Sequence, residues 1–207
     1  MFRGERIGLR ARIESDVAVL HSDLYDDVLT RSRADGRAWR PISPESPSAP
    51  YRIDDPPDNA AVFSVVELVE GEPLAGEAVL WGIDLHSRKA HFGVSLRPAF
   101  RGRGLGRDVL RTMCDYAFAI RGLHRVGLET LADNAAMIGV AEGLGFVREG
   151  LLRQAAWVNG EFLDEVVFGI LEDEWKRRAG DERHRHDDEA ADEAGMESFP
   201  ASDPLAF

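Results

Sequence analysis

Between Arg101 and Gly106 the chain reads RGRGLG, and it runs straight into an amphipathic helical pattern with apolar positions at Leu105, Val109, Leu110, Met113 and Ala117. Gly102, Gly104 and Gly106 carry no Cβ, so consecutive backbone amides can face one side at close approach. With the positive end of a helix behind them they suit an anion, most naturally a phosphate. Arg101, Arg103 and Arg107 add formal charge. Glycines at every second position do not make the Gly-x-Gly-x-x-Gly dinucleotide fingerprint, and the Gly-Lys-Ser/Thr ending of a nucleoside-triphosphate loop is missing. A plain strand-to-helix linker is the other reading of the same residues.

The elements around this turn follow from hydrophobic period. Ile7, Leu9 and Ala11 alternate as in a half-buried strand, after which Ser15 or Asp16 can cap a helix with Val17, Val19, Leu20 and Leu24 as apolar positions. Residues 35–59 are dense in proline and serine and read as loop, in which Trp39 either lines a substrate mouth or covers the core edge. Residues 61–85 read as two strands joined at Glu70–Pro73, and Ala90–Leu96 as a third that Pro98 ends. A further strand covers HRVGLETLADN, a helix starts after Asp133 and stops at Gly145, and Asn159-Gly160 closes a final hairpin.

Bulk properties bound the class. At 207 residues with 44% hydrophobic content the chain has room for one full domain and an extension. Its apolar runs are far shorter than the roughly 20 residues of a membrane span. The amino terminus has no secretory core, and the single Cys114 suits a reducing compartment, so a cytoplasmic protein is expected. A net charge of −12 argues against nucleic-acid binding. Much of that charge lies in residues 181–207, where nine acidic side chains face Arg183 and Arg185. Low hydrophobicity there reads as a disordered tail, and His184 and His186 without partner ligands do not make a metal site.

RGRGLG matches the Arg/Gln-x-x-Gly-x-Gly/Ala signature of the GNAT acyltransferase superfamily, following a strand that ends at Pro98. Downstream, NAAMIGVAEGLGFVREGLLRQAAWVNGEFLDEVVFGILEDEW resembles that superfamily's asparagine-led helix, Gly-Phe end and closing strands, and is similar to the ribosomal-protein N-terminal acetyltransferase subgroup. The resemblance spans about residues 3–177. It implies an α/β (α+β) fold: a bent, mostly antiparallel sheet with helices on both faces and a coenzyme A cleft where two central strands splay. The catalytic domain would be residues 1–178, with 179–207 as the acidic tail. The turn from Arg101 through Gly102, Arg103, Gly104, Leu105 and Gly106 to Arg107 would grip the pyrophosphate, Val94, Ser95 and Leu96 would pair with the pantetheine arm, and Asn134 would hydrogen-bond it.

The implied reaction is attack of an amine on the acetyl-CoA thioester, which needs a base, oxyanion donors and a proton for the leaving thiolate. Many members place a tyrosine acid four residues before the glycine of Gly-Phe, where this chain has Ala141. For the base, His91 stands where relatives commonly have glutamate, and an ordinary imidazole, with a pKa near ~6.5, accepts a proton at neutral pH. Glu77 and Glu129 on neighbouring strands are further candidates, and Ser95 has a hydroxyl to donate. Each of these side chains also has a purely structural reading. Cys114, beside core position Met113, reads as a buried thiol. The subgroup resemblance favours the α-amine of a polypeptide, such as a ribosomal protein, as acceptor. A small amine (polyamine, amino sugar or antibiotic) is the alternative, as is a non-catalytic acyl-CoA sensor. No metal, nucleic acid or membrane partner is expected, and a homodimer stays open.

Overall fold

The computed structural model describes residues 1–53 and 57–178; the tail expected at 179–207 lies outside the described residues. The chain divides into two compact units, Met1–Glu172 and one beginning at Asp173. The second is helical over 173–178.

The first unit is built on eight strands: β1 (Phe2–Arg3), β2 (Ile7–Arg10), β3 (Ala60–Glu67), β4 (Leu74–Asp84), β5 (Lys89–Leu96), β6 (Arg125–Leu131), β7 (Val147–Val158) and β8 (Glu161–Leu171). They form one sheet in the order β1-β2-β3-β4-β5-β6-β8-β7. Every neighbouring pair is antiparallel except β5 with β6. The hairpin between β7 and β8 turns at Asn159-Gly160 as expected, with φ of 49° and 97° at the two residues. Residues 35–53 and 57–59 contain no helix or strand.

Four helices connect and cover these strands: α1 (Glu14–Leu20), α2 (Val28–Ala34), α3 (Leu105–Asp115) and α4 (Ala135–Gly143). Two adjacent residues of β3 show that both faces of the sheet are covered. Ser64 donates to Asp16 of α1 at 2.7 Å, while the ring of Phe63 meets that of Tyr116, which follows α3, at 5.0 Å. Successive strand residues point to opposite faces, so α1 and α3 lie on opposite sides. The five apolar positions expected on this helix, four on α3 and Ala117 in the helical turn after it, are all buried at 1% exposure or less, and Cys114 beside them is fully buried, which pushes its thiol pKa up.

The start of α1 departs from expectation. Its N-cap is Ile13, and Asp16 lies within the first turn, accepting from the Ile13 amide at 3.1 Å. Asp16 is also held by Arg10 of β2 at 2.6 and 2.8 Å and by Ser64. A carboxylate that must meet two strand residues on the sheet side has no freedom to serve as the cap, so tertiary partners override the local capping preference.

Candidate active site

The parallel contact between β5 and β6 is short. Lys89, Ala90 and His91 pair with Arg125, Val126 and Gly127, and there the pairing stops. Beyond it β5 stays on β4, through Gly93 to Leu96, and β6 stays on β8, through Leu128 to Leu131. The two central strands therefore splay after His91 and Gly127, and the β5 edge from Phe92 to Leu96 has no strand on that side. Such an edge offers backbone donors and acceptors to an extended amide-bearing chain. The expected positions Val94, Ser95 and Leu96 all lie on it, and the Leu96 carbonyl also accepts from Arg101 Nε at 2.8 Å.

The glycine-rich turn sits at the far end of this edge. Gly102 and Gly104 are in the left-handed region (φ 69° and 77°), and Gly104 is the N-cap residue of α3. Non-glycine residues are strained at such φ values. The α3 amino end therefore presents its amides without side-chain obstruction, which fits a pyrophosphate. The arginines are employed differently from the amides. Arg103 donates to buried Glu67 at 2.6 Å and lies over the Phe100 ring, so its charge is balanced inward. Arg6 reaches the Arg103 carbonyl at 2.9 Å and tethers the turn. The Arg107 guanidinium runs toward the end of α4, where a Cβ on Gly143 would come within 2.9 Å of it. Thus the backbone, not Arg103, is the anion-facing part of the motif.

The turn is also held from behind. Asp108, in the first turn of α3, accepts from the backbone amides of Glu5, Arg6 and Ile7 at 3.2, 2.7 and 3.0 Å and from Arg111 at 3.2 Å. Gly4 leaves the space this needs, since a Cβ there would lie 2.4 Å from Thr112 Oγ1 and 2.8 Å from Asp108 Oδ2. Asn134 caps α4 by accepting from the Met137 amide at 3.2 Å, and it donates to Thr130 Oγ1 at 2.9 Å. A pantetheine contact would use its remaining amide hydrogen or the second lone pair of Oδ1.

Strand register places the expected acid–base candidates on one face. Ser64 pairs with Glu77, Glu77 with Ser95, Trp81 with His91, and His91 with Gly127, two residues before Glu129. Paired residues share a face, so Glu77, His91, Ser95 and Glu129 all lie on the α1 side, over the splay. Their surroundings differ. Glu77 forms an ion pair with Arg12, both side chains mostly buried. Burial raises its carboxyl above the ordinary glutamate range, against the pull of Arg12. Tyr51, whose ring lies 5.5 Å below the Arg12 guanidinium, is buried beside it, and burial pushes its phenol up. Glu77 is therefore part of a packed polar cluster. Glu129 is exposed.

His91 is the last paired residue before the splay. Its ring stacks on Trp81 with centroids 4.7 Å apart and planes 25° from parallel. Nδ1 is buried without a hydrogen-bond partner, against Gly127, whose added Cβ would lie 3.2 Å away. With Nδ1 buried, Nε2 is the ring nitrogen left to exchange a proton. Sequence reasoning missed Arg12, Tyr51 and Trp81, and it missed Glu165. Glu165 stands on the same face two β8 residues from Val167, the partner of Glu129. Burial raises its carboxyl pKa first, and the charge of Glu129 adds to that. The position of Ala141, fully buried in α4, holds no acid.

One glycine determines how close β4 and β5 run under this face. A Cβ on Gly76 would lie 2.2 Å from the Ser95 carbonyl oxygen and 2.9 Å from Leu96 Cα. Gly76→Ala must push the open edge of β5 outward. Overpacking of this kind costs about 1–3 kcal/mol, and acetyl-CoA affinity is expected to fall with it, read as a lower Tm and a smaller acetyl-CoA-induced Tm shift.

Among the described residues no group of three or more His, Cys, Asp or Glu side chains could hold a metal ion, and no helix is long and apolar enough to cross a membrane. Comparison with known proteins agrees with the cleft. Over 122 residues the chain is 31% identical to the spermidine N(1)-acetyltransferase of Vibrio cholerae serotype O1, covering 59% of this chain and 70% of that protein. It is 33% identical over 103 residues to YdaF of Bacillus subtilis, a provisionally named ribosomal N-acetyltransferase, covering 50% and 56% of the two chains. The crystal structure of the Vibrio cholerae spermidine N-acetyltransferase in complex with CoA and spermine superimposes with a TM-score of 0.72 at 26% identity, over 82% of this chain and 98% of that one. Residues 6–147 match the acetyltransferase (GNAT) domain family, and with the splayed strands and the glycine turn in place the chain belongs to that family, as an acetyl-CoA-dependent N-acetyltransferase.

Proposed function

We propose that the acceptor is a small polycationic amine of the spermidine class, rather than the polypeptide α-amine that the subgroup resemblance implied. The observation that carries this reading is the Glu129–Glu165 pair. Elsewhere on this side carboxylates are matched, Glu77 by Arg12, Asp35 by Arg31 and Arg37, Asp133 by Arg33. Among the described residues no basic side chain makes an ion pair with Glu129 or Glu165. Two neighbouring carboxylates without a cation beside the splay suit an acceptor that brings its own. The relatives named as spermidine acetyltransferases support the same choice.

In this reading the amides of Gly102 to Arg107 and the β5 edge at Val94, Ser95 and Leu96 hold acetyl-CoA, which supplies the acetyl thioester. His91 Nε2 takes the proton of the acceptor ammonium, directly or through one water. The freed lone pair forms the new C–N bond as the C–S bond breaks, and the second proton shed by the amine nitrogen goes to the departing thiolate. Glu77 keeps Arg12 and Tyr51 in place beneath the site. The catalytic domain covers residues 1–178, with 179–207 as an acidic appendage, and the enzyme works in the cytoplasm.

Free thiol release from acetyl-CoA should be fastest with spermidine or spermine and slow with short peptides bearing a free N-terminus; faster turnover of the peptides would reverse the assignment. The double variant E129Q/E165Q should raise KM for spermidine roughly fivefold, in the range of partly exposed ion pairs. KM for a monoamine should stay unchanged. Glu165 keeps its proton to higher pH than an ordinary glutamate, so KM for spermidine should also rise as the pH falls through that raised titration, and E165Q should remove the dependence.

A further inference from the structure

We propose that Trp81 is a positioning residue for the reaction: its indole clamps the His91 ring against Gly127 and so fixes the direction in which Nε2 faces the acceptor amine. The inference rests on the reading of His91 as the base.

Three independent contacts define the clamp. From one side, Trp81 stacks on the imidazole at 4.7 Å. From the other, Gly127 comes so close that a Cβ would approach Nδ1 to 3.2 Å and Cε1 to 3.4 Å. Along the strand, a Cβ on Gly93 would lie 3.9 Å from Trp81 Nε1, so the indole extends over the first residues of the open β5 edge. The imidazole is thus held between an aromatic plane and a bare backbone.

This arrangement replaces the usual way of orienting a basic histidine. A carboxylate or carbonyl on the second ring nitrogen normally fixes its direction. Here Nδ1 is buried without any partner, so no hydrogen bond sets the ring torsion. Stacking and steric closure must do so, because terminal torsions of such rings are otherwise broad. At the same time 46% of Trp81 remains exposed, more than a core aromatic keeps. An exposed indole stacked on His91 also offers a surface that attracts cations.

The test compares W81L, W81F, G127A and H91Q by steady-state kinetics with spermidine and acetyl-CoA, with Tm measured for each. W81L should lower kcat by at least tenfold with KM for acetyl-CoA within twofold of wild type, since misplacing a reacting group by about 1 Å can cost 10²-fold. W81F, which can still stack, should stay within threefold. G127A, which crowds the ring from behind, should lower kcat in the same way as W81L. Equal kcat for W81L and wild type, or a W81L defect confined to KM for acetyl-CoA or to Tm, would overturn the clamp while a low H91Q activity left the base assignment standing. Full activity of H91Q would instead remove the base reading, and the clamp with it.

Discussion

His91→Gln is expected to lower kcat by about 10²- to 10⁴-fold, the range that a positioned general base contributes, while acetyl-CoA binding stays as in the wild type. Glutamine fills a similar volume and keeps hydrogen-bonding atoms near the cleft, but its amide does not take up a proton near neutral pH. The binding elements are separate from it: the glycine turn, the α3 amino end and the β5 edge beyond Phe92 do not depend on the His91 side chain. Thermal shift with acetyl-CoA should therefore be preserved, whereas thiol release with spermidine should fall. A variant retaining most of its kcat would move the base elsewhere, and Glu77 is poorly placed to take over because Arg12 already occupies it.

Asp108→Ala is expected to be the most destabilising single change outside the apolar core. It removes the acceptor of three backbone amides, those of Glu5, Arg6 and Ile7, at a side chain only 6% exposed as a residue. Buried donors left without a partner cost about 1–3 kcal/mol each. Partial rehydration near Glu5 and Arg6 brings the total to about 3–4 kcal/mol, or a Tm lower by roughly 10 °C. The damage also has a functional direction. The Asp108 contacts set the position of Arg6, whose guanidinium holds the Arg103 carbonyl, so the phosphate-facing turn loosens and acetyl-CoA affinity should fall more than affinity for the acceptor. Asp108→Asn retains one oxygen acceptor and should recover part of the Tm. If D108A melted within about 2 °C of wild type, the carboxylate would not be the anchor described.

The glycine turn and α3 were legible because their determinants are consecutive: glycines where φ turns positive, then an apolar stripe every three to four residues. The same holds for the Asn159-Gly160 hairpin and the alternating strands β3, β4 and β5. The first-turn cap of α1 was misplaced, and the charge of Arg103 was assigned to the ligand side, because their partners Ser64 and Glu67 lie on β3, which no local window contains. Trp81 looked like one more strand aromatic. What makes it matter is a cross-strand pairing with His91, set by the geometry of the intervening turn.

By itself the sequence determined the family, the anion-binding turn and the set of side chains able to carry proton chemistry, since residue types, spacing and local conformational preference suffice for those. Only the tertiary structure decided where β5 and β6 part, which of the carboxylates are neutralised and which stand open, and that a tryptophan and a glycine enclose the histidine. Each of these depends on strand register between segments separated in the chain, and a shift of one residue in register would turn every one of these side chains to the opposite face of the sheet.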